Sequence, residues 1–126
     1  MYYVVEMAFG HHCSDGKPLP PNRIETAKNL GLSTLTLIFS GGWVNDYKGG
    51  HKSAADGHCV LEPCSLLTAY AKEVGEDEWT QLLIVASKIA TELEQESVLI
   101  RIQRVDGMMH WVKPDASTRE RGEQAA

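Results

Sequence analysis

An amphipathic segment that leads directly into an alternating one constrains the fold of this chain more than any other feature. Residues 76–95 repeat apolar side chains at i, i+3, i+4 and i+7, which is the spacing of one buried helix face. Residues 97–105 alternate apolar and polar side chains, as a half-buried strand does. A helix followed so closely by a strand must pack its apolar face on the sheet to which that strand belongs. The predicted buried face consists of Trp79, Leu82, Leu83, Ala86, Ile89, Ala90 and Leu93.

The rest of the chain divides into short segments separated by turn-forming residues. Glycine, an Asp-Gly pair and three prolines predict a loop over residues 10–22. Asn22 is a candidate cap for a short helix, and Gly31 lies where a glycine would end it. Pro63 predicts an edge strand or a bulge, because proline cannot donate a hydrogen bond within a sheet. We predict strands over 2–9, 32–39, 58–71 and 97–105, a helix over 23–30, a long connection over 40–57, and a last short strand over 108–112 after an Asp-Gly turn.

The resulting order, β-α-β-β-α-β, predicts an α+β fold of the ferredoxin-like, split βαβ kind. In that arrangement two helices cover one face of a four-stranded antiparallel sheet, here with an extra short C-terminal strand. We expect a single domain over residues 1–113 and a flexible tail over residues 114–126. The uncovered face must be solvated, bind a ligand or pair with a second copy, and its half-apolar strands favour a homodimer or a covered pocket.

Charge and composition exclude several classes of partner. The chain has a net charge of −5 and no run of lysine and arginine, so we expect neither nucleic acid nor an anionic membrane as its partner. It has no basic, apolar leader and no apolar stretch of about 18 residues that could span a bilayer. Its three cysteines are an odd number, which favours reduced thiols over disulfides. We therefore expect a cytoplasmic protein, and no motif indicates a cofactor.

Five short motifs resemble those of a small bacterial family of unknown function. They are FG at 9–10, LSTLT at 32–36, GGW at 41–43, EPCSLL at 62–67 and QESVL at 95–99. The resemblance would cover about residues 7–103, and the pentapeptide is its most specific part. Members of that family are single ferredoxin-like domains, so the resemblance implies this fold, but it implies no activity. The chain departs from the family in its shortened first helix, its longer 44–57 connection and its lack of the export signal that members often carry.

Three glutamates crowd the predicted junction between the last helix and its strand. Paired carboxylates can divide general acid and general base roles between them. Glu92 and Glu94 point apart, because alternate residues on a helix do not share a face, and only Glu96 can turn inward. In the alternative interpretation, which we favour, Glu96 or the Gln95 amide satisfies free backbone groups at an ordinary corner.

A second group of candidate residues surrounds Pro63. If a bulge forms there, Glu62 and Ser65 come to one side of the sheet. Together with Glu96, Ser97 and Trp43 they could then line one end of the sheet as an aromatic wall with two carboxylates. Such a wall suits a small polar or cationic ligand. The alternative is a hydrogen-bonded bulge beside a core tryptophan.

Histidine and cysteine patterns give weaker signals. No CxxC or HxxxH spacing occurs, so we predict no metal site, and buried thiols with exposed loop histidines are the simpler interpretation. Cys13 beside His12, or Ser65 near His58, could pair a nucleophile with a base, but neither lies in an elbow motif. Phosphate-binding and dinucleotide-binding glycine motifs are also missing from the sequence.

Two classes of function remain open from the sequence. The first is a binding or assembly module that dimerises through its sheet and holds a small polar ligand at a pocket edged by Trp43, Glu62 and Glu96. The second is a small dimeric enzyme in which Glu62 or Glu96 acts as general acid or base with His58 or His110 as partner. The candidate catalytic residues are Glu62, Glu96 and His58, and the candidate ligand-binding residues are Trp43, Ser65, Gln95, Ser97 and His110.

Overall fold

The structure is a computed structural model that describes residues 1–52, 56–108, 112 and 114. Its regular elements are β1 (Tyr2–Gly10), α1 (Pro21–Phe39), β2 (Trp43–Lys52), β3 (Cys59–Ala71), α2 (Glu76–Glu92) and β4 (Leu99–Val105). The strands form one antiparallel sheet in the order β2-β3-β1-β4, and the helices pack on one of its faces. This is the ferredoxin-like α+β fold predicted from the sequence. Neither helix in the described ranges is long and apolar enough to cross a membrane.

The core lies between the helices and the sheet because every strand sends alternate side chains toward the helices. In β1, Val5, Met7 and Phe9 face the helices and are buried. The predicted helix face of α2 is confirmed at Leu82, Ala86, Ile89 and Leu93, which are buried. It is wrong at Trp79 and Leu83, which are 41% and 46% exposed, and the helix ends at Glu92 rather than at residue 95. The hydrophobic core as a whole contains Val5, Met7, Phe9, Leu19, Ile24, Ala27, Leu35, Leu67, Ala69, Ala71, Leu82, Val85, Ala86, Ile89 and Leu93.

The predicted strand over 32–39 is wrong, because that segment is the second half of α1. The alternation of leucine and threonine favours a strand, but the buried positions 24, 27, 31 and 35 have helical spacing. Gly31 does not end the helix. A Cβ at this position would lie 2.9 Å from a Leu67 methyl group, so the glycine lets α1 approach the sheet closely.

Two further corrections follow from the extra length of α1. The predicted connection over 40–57 is wrong in its first part, because residues 43–52 form the edge strand β2. The prediction of an edge strand or bulge at Pro63 is also wrong, since β3 is a central strand that pairs with β2 without interruption, Pro63 opposite Lys48. The backbone nitrogen of Pro63 points toward β1, as its carbonyl does, which accepts the N–H of His11 at 2.9 Å. The lack of an N–H is tolerated there because the paired residues of β1 end at Gly10, opposite Cys64.

The C-terminal predictions are tested only in part. The strand predicted over 97–105 is confirmed and begins at Leu99. Residues 109–111 of the predicted last strand, and nearly all of the predicted tail over 114–126, lie outside the described residues. The extra strand, the tail and the domain boundary at residue 113 therefore stay predictions.

Leu35 and Leu37 provide a test of the helical assignment. They would share a face in a strand, but in α1 Leu35 is 0% exposed whereas Leu37 is 86% exposed. We expect Leu35→Ala to lower the free energy of unfolding by about 2–5 kcal/mol, because it leaves a cavity in the core. Leu37→Ala, the matched control, should change it by about 0.5 kcal/mol or less. Urea unfolding measures both values, and equal losses would contradict the assignment.

Candidate functional site

A cavity of about 750 Å³ opens where β1 ends beside β3 and β2, next to the corner between α2 and β4. Its lining includes Gly10, His12, Glu62 and Cys64, and it also includes Gln95, Glu96 and Ser97 from the corner. Gly10 pairs with Cys64 across the ladder, and alternation along β3 puts Glu62 on the same face of the sheet as Cys64. That face points away from the helices.

Glu62 is a buried carboxylate in this cavity, only 8% exposed. Its Oε2 accepts a hydrogen bond from the backbone N–H of His12 at 2.9 Å, and His12 Nδ1 lies 3.5 Å from the same oxygen. A Cβ on Gly10 would lie 2.2 Å from Oε1, so only glycine leaves room for the carboxylate at that position. Burial of a carboxylate is costly unless donors satisfy it, and the end of β1 supplies one.

Ser65 lies on the opposite face of the sheet, in a chain of hydrogen bonds beneath the helices. Its hydroxyl is fully buried and donates to Asp46 Oδ1 at 2.7 Å. His11 Nε2 lies 2.7 Å from the same hydroxyl oxygen and, as a donor, completes the chain. Lys28 on α1 donates to the other Asp46 oxygen at 2.7 Å. Because β3 has no bulge, Glu62 and Ser65 do not come to one side, and that part of the prediction is wrong.

The charges of this chain of hydrogen bonds follow from its surroundings. The hydrogen bonds from the Lys28 ammonium and the Ser65 hydroxyl lower the pKa of the Asp46 carboxyl. Burial lowers the pKa of His11, although the Asp46 carboxylate acts in the opposite direction. At neutral pH the imidazole is therefore neutral, and its Nε2–H tautomer suits donation to Ser65. The Ser65 proton is directed at Asp46, so this serine is not arranged as a nucleophile.

The Cys64 thiol, which lines the large cavity, is also unsuited to nucleophilic chemistry. Burial, followed by the neighbouring Glu62 carboxylate, raises the pKa of the Cys64 thiol. Burial likewise raises the pKa of the Tyr47 hydroxyl beside it. At neutral pH both groups stay protonated, so they offer hydrogen bonds rather than an anion. Within residues 1–52 and 56–108, no three His, Cys, Asp or Glu side chains come together as a metal site.

The structure separates Trp43 from the other candidate residues. Trp43 pairs with Thr68, six residues along β3 from Glu62, which is about 20 Å at the rise of a strand. Its ring packs on Tyr70, with the ring centroids 5.0 Å apart. The expectation that Trp43 lines the same pocket as Glu62 depended on the wrongly predicted strand over 32–39, which would have ended near this residue.

The remaining candidate residues, His58, Gln95 and His110, do not share one position. His58 lines the cavity but is exposed, and its Nδ1 lies 3.7 Å from an Asp56 carboxylate oxygen. Gln95 lies at the cavity wall and donates its amide to the backbone carbonyls of Gly10 and His12. His110 lies outside the described residues.

Sequence reasoning missed the role of the residues at the end of β1. Gly10, His11 and His12 were assigned to a loop, but they hold Glu62 on one face and Ser65 on the other. Asp46 was likewise missed, because its strand was predicted as a connection. The available signal was the Gly-His-His sequence directly after a strand, where consecutive side chains point to opposite faces.

Comparisons with known proteins identify the fold. No family model and no curated protein matches the chain. A phage SAM lyase in complex with S-methyl-5′-thioadenosine matches with a TM-score of 0.63 at 16% identity, over 81% of this chain and 80% of that one. The same kind of lyase in its apo state matches with a TM-score of 0.59 at 16% identity, over 80% and 78% of the two chains. CutA of Pyrococcus horikoshii in 3 M guanidine hydrochloride has a TM-score of only 0.48 at 14% identity, over 85% and 87%. The two lyase structures share the ferredoxin-like fold with this chain, and at 16% identity they show the fold alone.

The lowered pKa of His11 predicts how stability depends on pH. The unfolded chain binds a proton at His11 near the ordinary value of 6.5, whereas the folded chain binds it only at lower pH. Stability should therefore fall as the pH drops below about 6.5. His11→Gln keeps a nitrogen donor for Ser65 but does not titrate. We expect urea unfolding between about pH 7 and 5 to show a smaller loss for this variant than for the wild type, and equal losses would contradict the assignment.

Proposed function

We propose that the cavity beside Glu62 binds a small ligand that carries a positive charge. The observation that carries this proposal is a buried carboxylate facing a cavity of about 750 Å³. That volume suits a ligand of cofactor size, since such sites have about 300–1,000 Å³. A cation placed against a carboxylate in a partly dry site gains more than it would in water.

S-adenosylmethionine is the first ligand of this kind to test. Its sulfonium and ammonium groups are positive, and its nucleoside part can use the remaining volume and the polar groups of Glu96 and Ser97. The fold similarity to a phage SAM lyase that holds S-methyl-5′-thioadenosine makes the same ligand class a reasonable choice. The support for this ligand is the match between its charge and the Glu62 carboxylate.

A second candidate function is cleavage of that ligand. The observation that favours it is that Glu96 lines the same cavity as Glu62, and Asp15 and Asp56 also line it, so four carboxylates border one site. S-methyl-5′-thioadenosine is S-adenosylmethionine without its aminobutyrate chain. When the bond between the sulfonium sulfur and the aminobutyrate chain breaks, the sulfur keeps the electron pair and becomes a neutral thioether. The carbon fragment must then gain a nucleophile or lose a proton, and a carboxylate such as Glu62 could accept that proton.

Replacement of Glu62 tests both candidates. We expect Glu62→Gln to weaken binding of S-adenosylmethionine about 10- to 100-fold, because it removes the charge but keeps an oxygen that can accept the His12 N–H. Isothermal titration calorimetry measures the affinity, and chromatography of the recovered ligand shows whether S-methyl-5′-thioadenosine has formed. Glu73→Gln is the matched control, since Glu73 is exposed and outside the cavity. Unchanged affinity in Glu62→Gln would contradict the proposal.

We also propose that the chain forms a homodimer through the uncovered face of its sheet. This face carries Tyr2, Trp43 and Tyr70. The ring centroid of Tyr70 lies 5.5 Å from that of Tyr2 and 5.0 Å from that of Trp43. Leu99 on the same face is 61% exposed, and the helices cover only the other face. Burial of apolar surface between two copies would stabilise such a pair.

Membership in the bacterial family that the motifs resemble stays a proposal, as does a cytoplasmic location. The pentapeptide at 95–99 supports the first, since it is the most specific of the shared motifs, and four of its residues, Gln95, Glu96, Ser97 and Leu99, line the cavity. The second is supported by the three cysteines, all of which are free thiols.

The dimer proposal is tested by a charge on the uncovered face. Leu99→Glu should shift the sedimentation velocity pattern from dimer to monomer, because it buries a carboxylate in an apolar interface. Leu37→Glu is the matched control, an equally drastic change at an exposed leucine on α1. A wild-type chain that sediments as a monomer at high concentration would refute the dimer.

A further inference from the structure

A backbone turn at the end of α2 directs Gln95 toward the end of β1. Glu94 adopts a left-handed conformation with φ of 51°. The N–H of Glu94 donates to Thr91 O at 3.2 Å, and the N–H of Gln95 donates to Ala90 O at 2.9 Å. This pair of hydrogen bonds is the Schellman pattern, here with a glutamate where glycine is usual. The Glu94 carbonyl also accepts the N–H of Ser14 at 2.8 Å, so the corner is fixed to the loop after β1.

The Gln95 side chain holds two peptide groups of the β1 end. Its Nε2 donates to the carbonyls of Gly10 and His12, the second at 3.0 Å. These carbonyls belong to the peptide groups immediately before and after the one that contains the His12 N–H. That N–H is the donor to Glu62 Oε2 at 2.9 Å. Gln95 therefore fixes the plane of the peptide group that binds the carboxylate.

The two hydrogen bonds that Gln95 donates explain why an amide side chain suits position 95. The amide NH₂ has two donors, and two carbonyl oxygens receive them. A glutamate would bring carboxylate oxygens against those carbonyls, and an apolar side chain would leave them without this donor. Gly10 adds a second restraint, because a Cβ there would lie 2.2 Å from the Glu62 carboxylate.

We propose that Gln95 is a positioning residue that sets the Glu62 carboxylate for its ligand through the His12 peptide group. This proposal rests on the proposed function in one respect, namely that Glu62 is the group that meets the ligand. Gln95 itself acts through the backbone and needs no contact with the ligand.

The test compares Gln95→Glu and Gln95→Met with Gln103→Met. Gln103 lies exposed on β4, away from the cavity, and serves as the matched control. The first readout is the hydrogen exchange rate of the His12 amide in ligand-free protein, measured by NMR. The second is the ¹³C signal of the Glu62 side-chain carboxyl, assigned with Glu62→Gln. The third is the affinity for S-adenosylmethionine, and thermal denaturation reports overall stability.

We expect both Gln95 variants to accelerate His12 exchange about tenfold, to shift the Glu62 signal and to weaken ligand binding about tenfold. Gln103→Met should change none of these. If the variants lose thermal stability while the His12 and Glu62 signals stay as in the wild type, the positioning role is overturned and Gln95 is only structural. If those two signals change while wild-type protein binds no S-adenosylmethionine, the positioning of Glu62 is upheld and the proposed ligand is refuted.

Discussion

The pairing register of β3 with its two neighbours determines where every functional group lies. β3 pairs with β1 from Ala71 to Cys64 and with β2 from Thr68 to Cys59, without a bulge. Because successive side chains point to opposite faces, Glu62 faces the open cavity and Ser65 faces the helices. A slip of one residue in this register would turn Glu62 toward the helices and Ser65 toward the cavity face, and it would also move Leu67 out of the core. The core and the candidate site therefore depend on the same ladder.

The segments whose local pattern agrees with their tertiary environment could be predicted from sequence. α2 and β4 have clear periodicity, and the structure confirms both elements. The extended segment predicted over 58–71 is β3, but its central position in the sheet was not predicted because of Pro63. The second half of α1 could not be predicted, because leucine and threonine alternate there with strand-like spacing. Burial at Ile24, Ala27, Gly31 and Leu35 overrides that preference, since these residues form one stripe against β3 and α2. β2 was missed in consequence, because its sequence is rich in glycine and polar residues.

The candidate site could also be predicted in part from the sequence. Glu62, Glu96 and Gln95 were selected by their residue types at a sheet end, and they do line one cavity. What the sequence could not reveal is which backbone groups meet them. One donor to Glu62 is a main-chain N–H, and Gln95 donates to main-chain carbonyls. Such groups are present at every residue, so only the three-dimensional structure distinguishes the ones that matter.

His11 and His12 connect the two faces of the sheet. Consecutive residues at a strand end point in opposite directions, and here one ring meets the buried Ser65 while the other lies beside Glu62. A buried polar network is stabilising only when all its members are satisfied, which is the case for Ser65. The satisfied network under the helices thus anchors His11, and the same peptide chain one residue later holds the carboxylate. The end of β1 is therefore held by hydrogen bonds on both faces of the sheet, which is the kind of preorganisation that the proposed binding site requires.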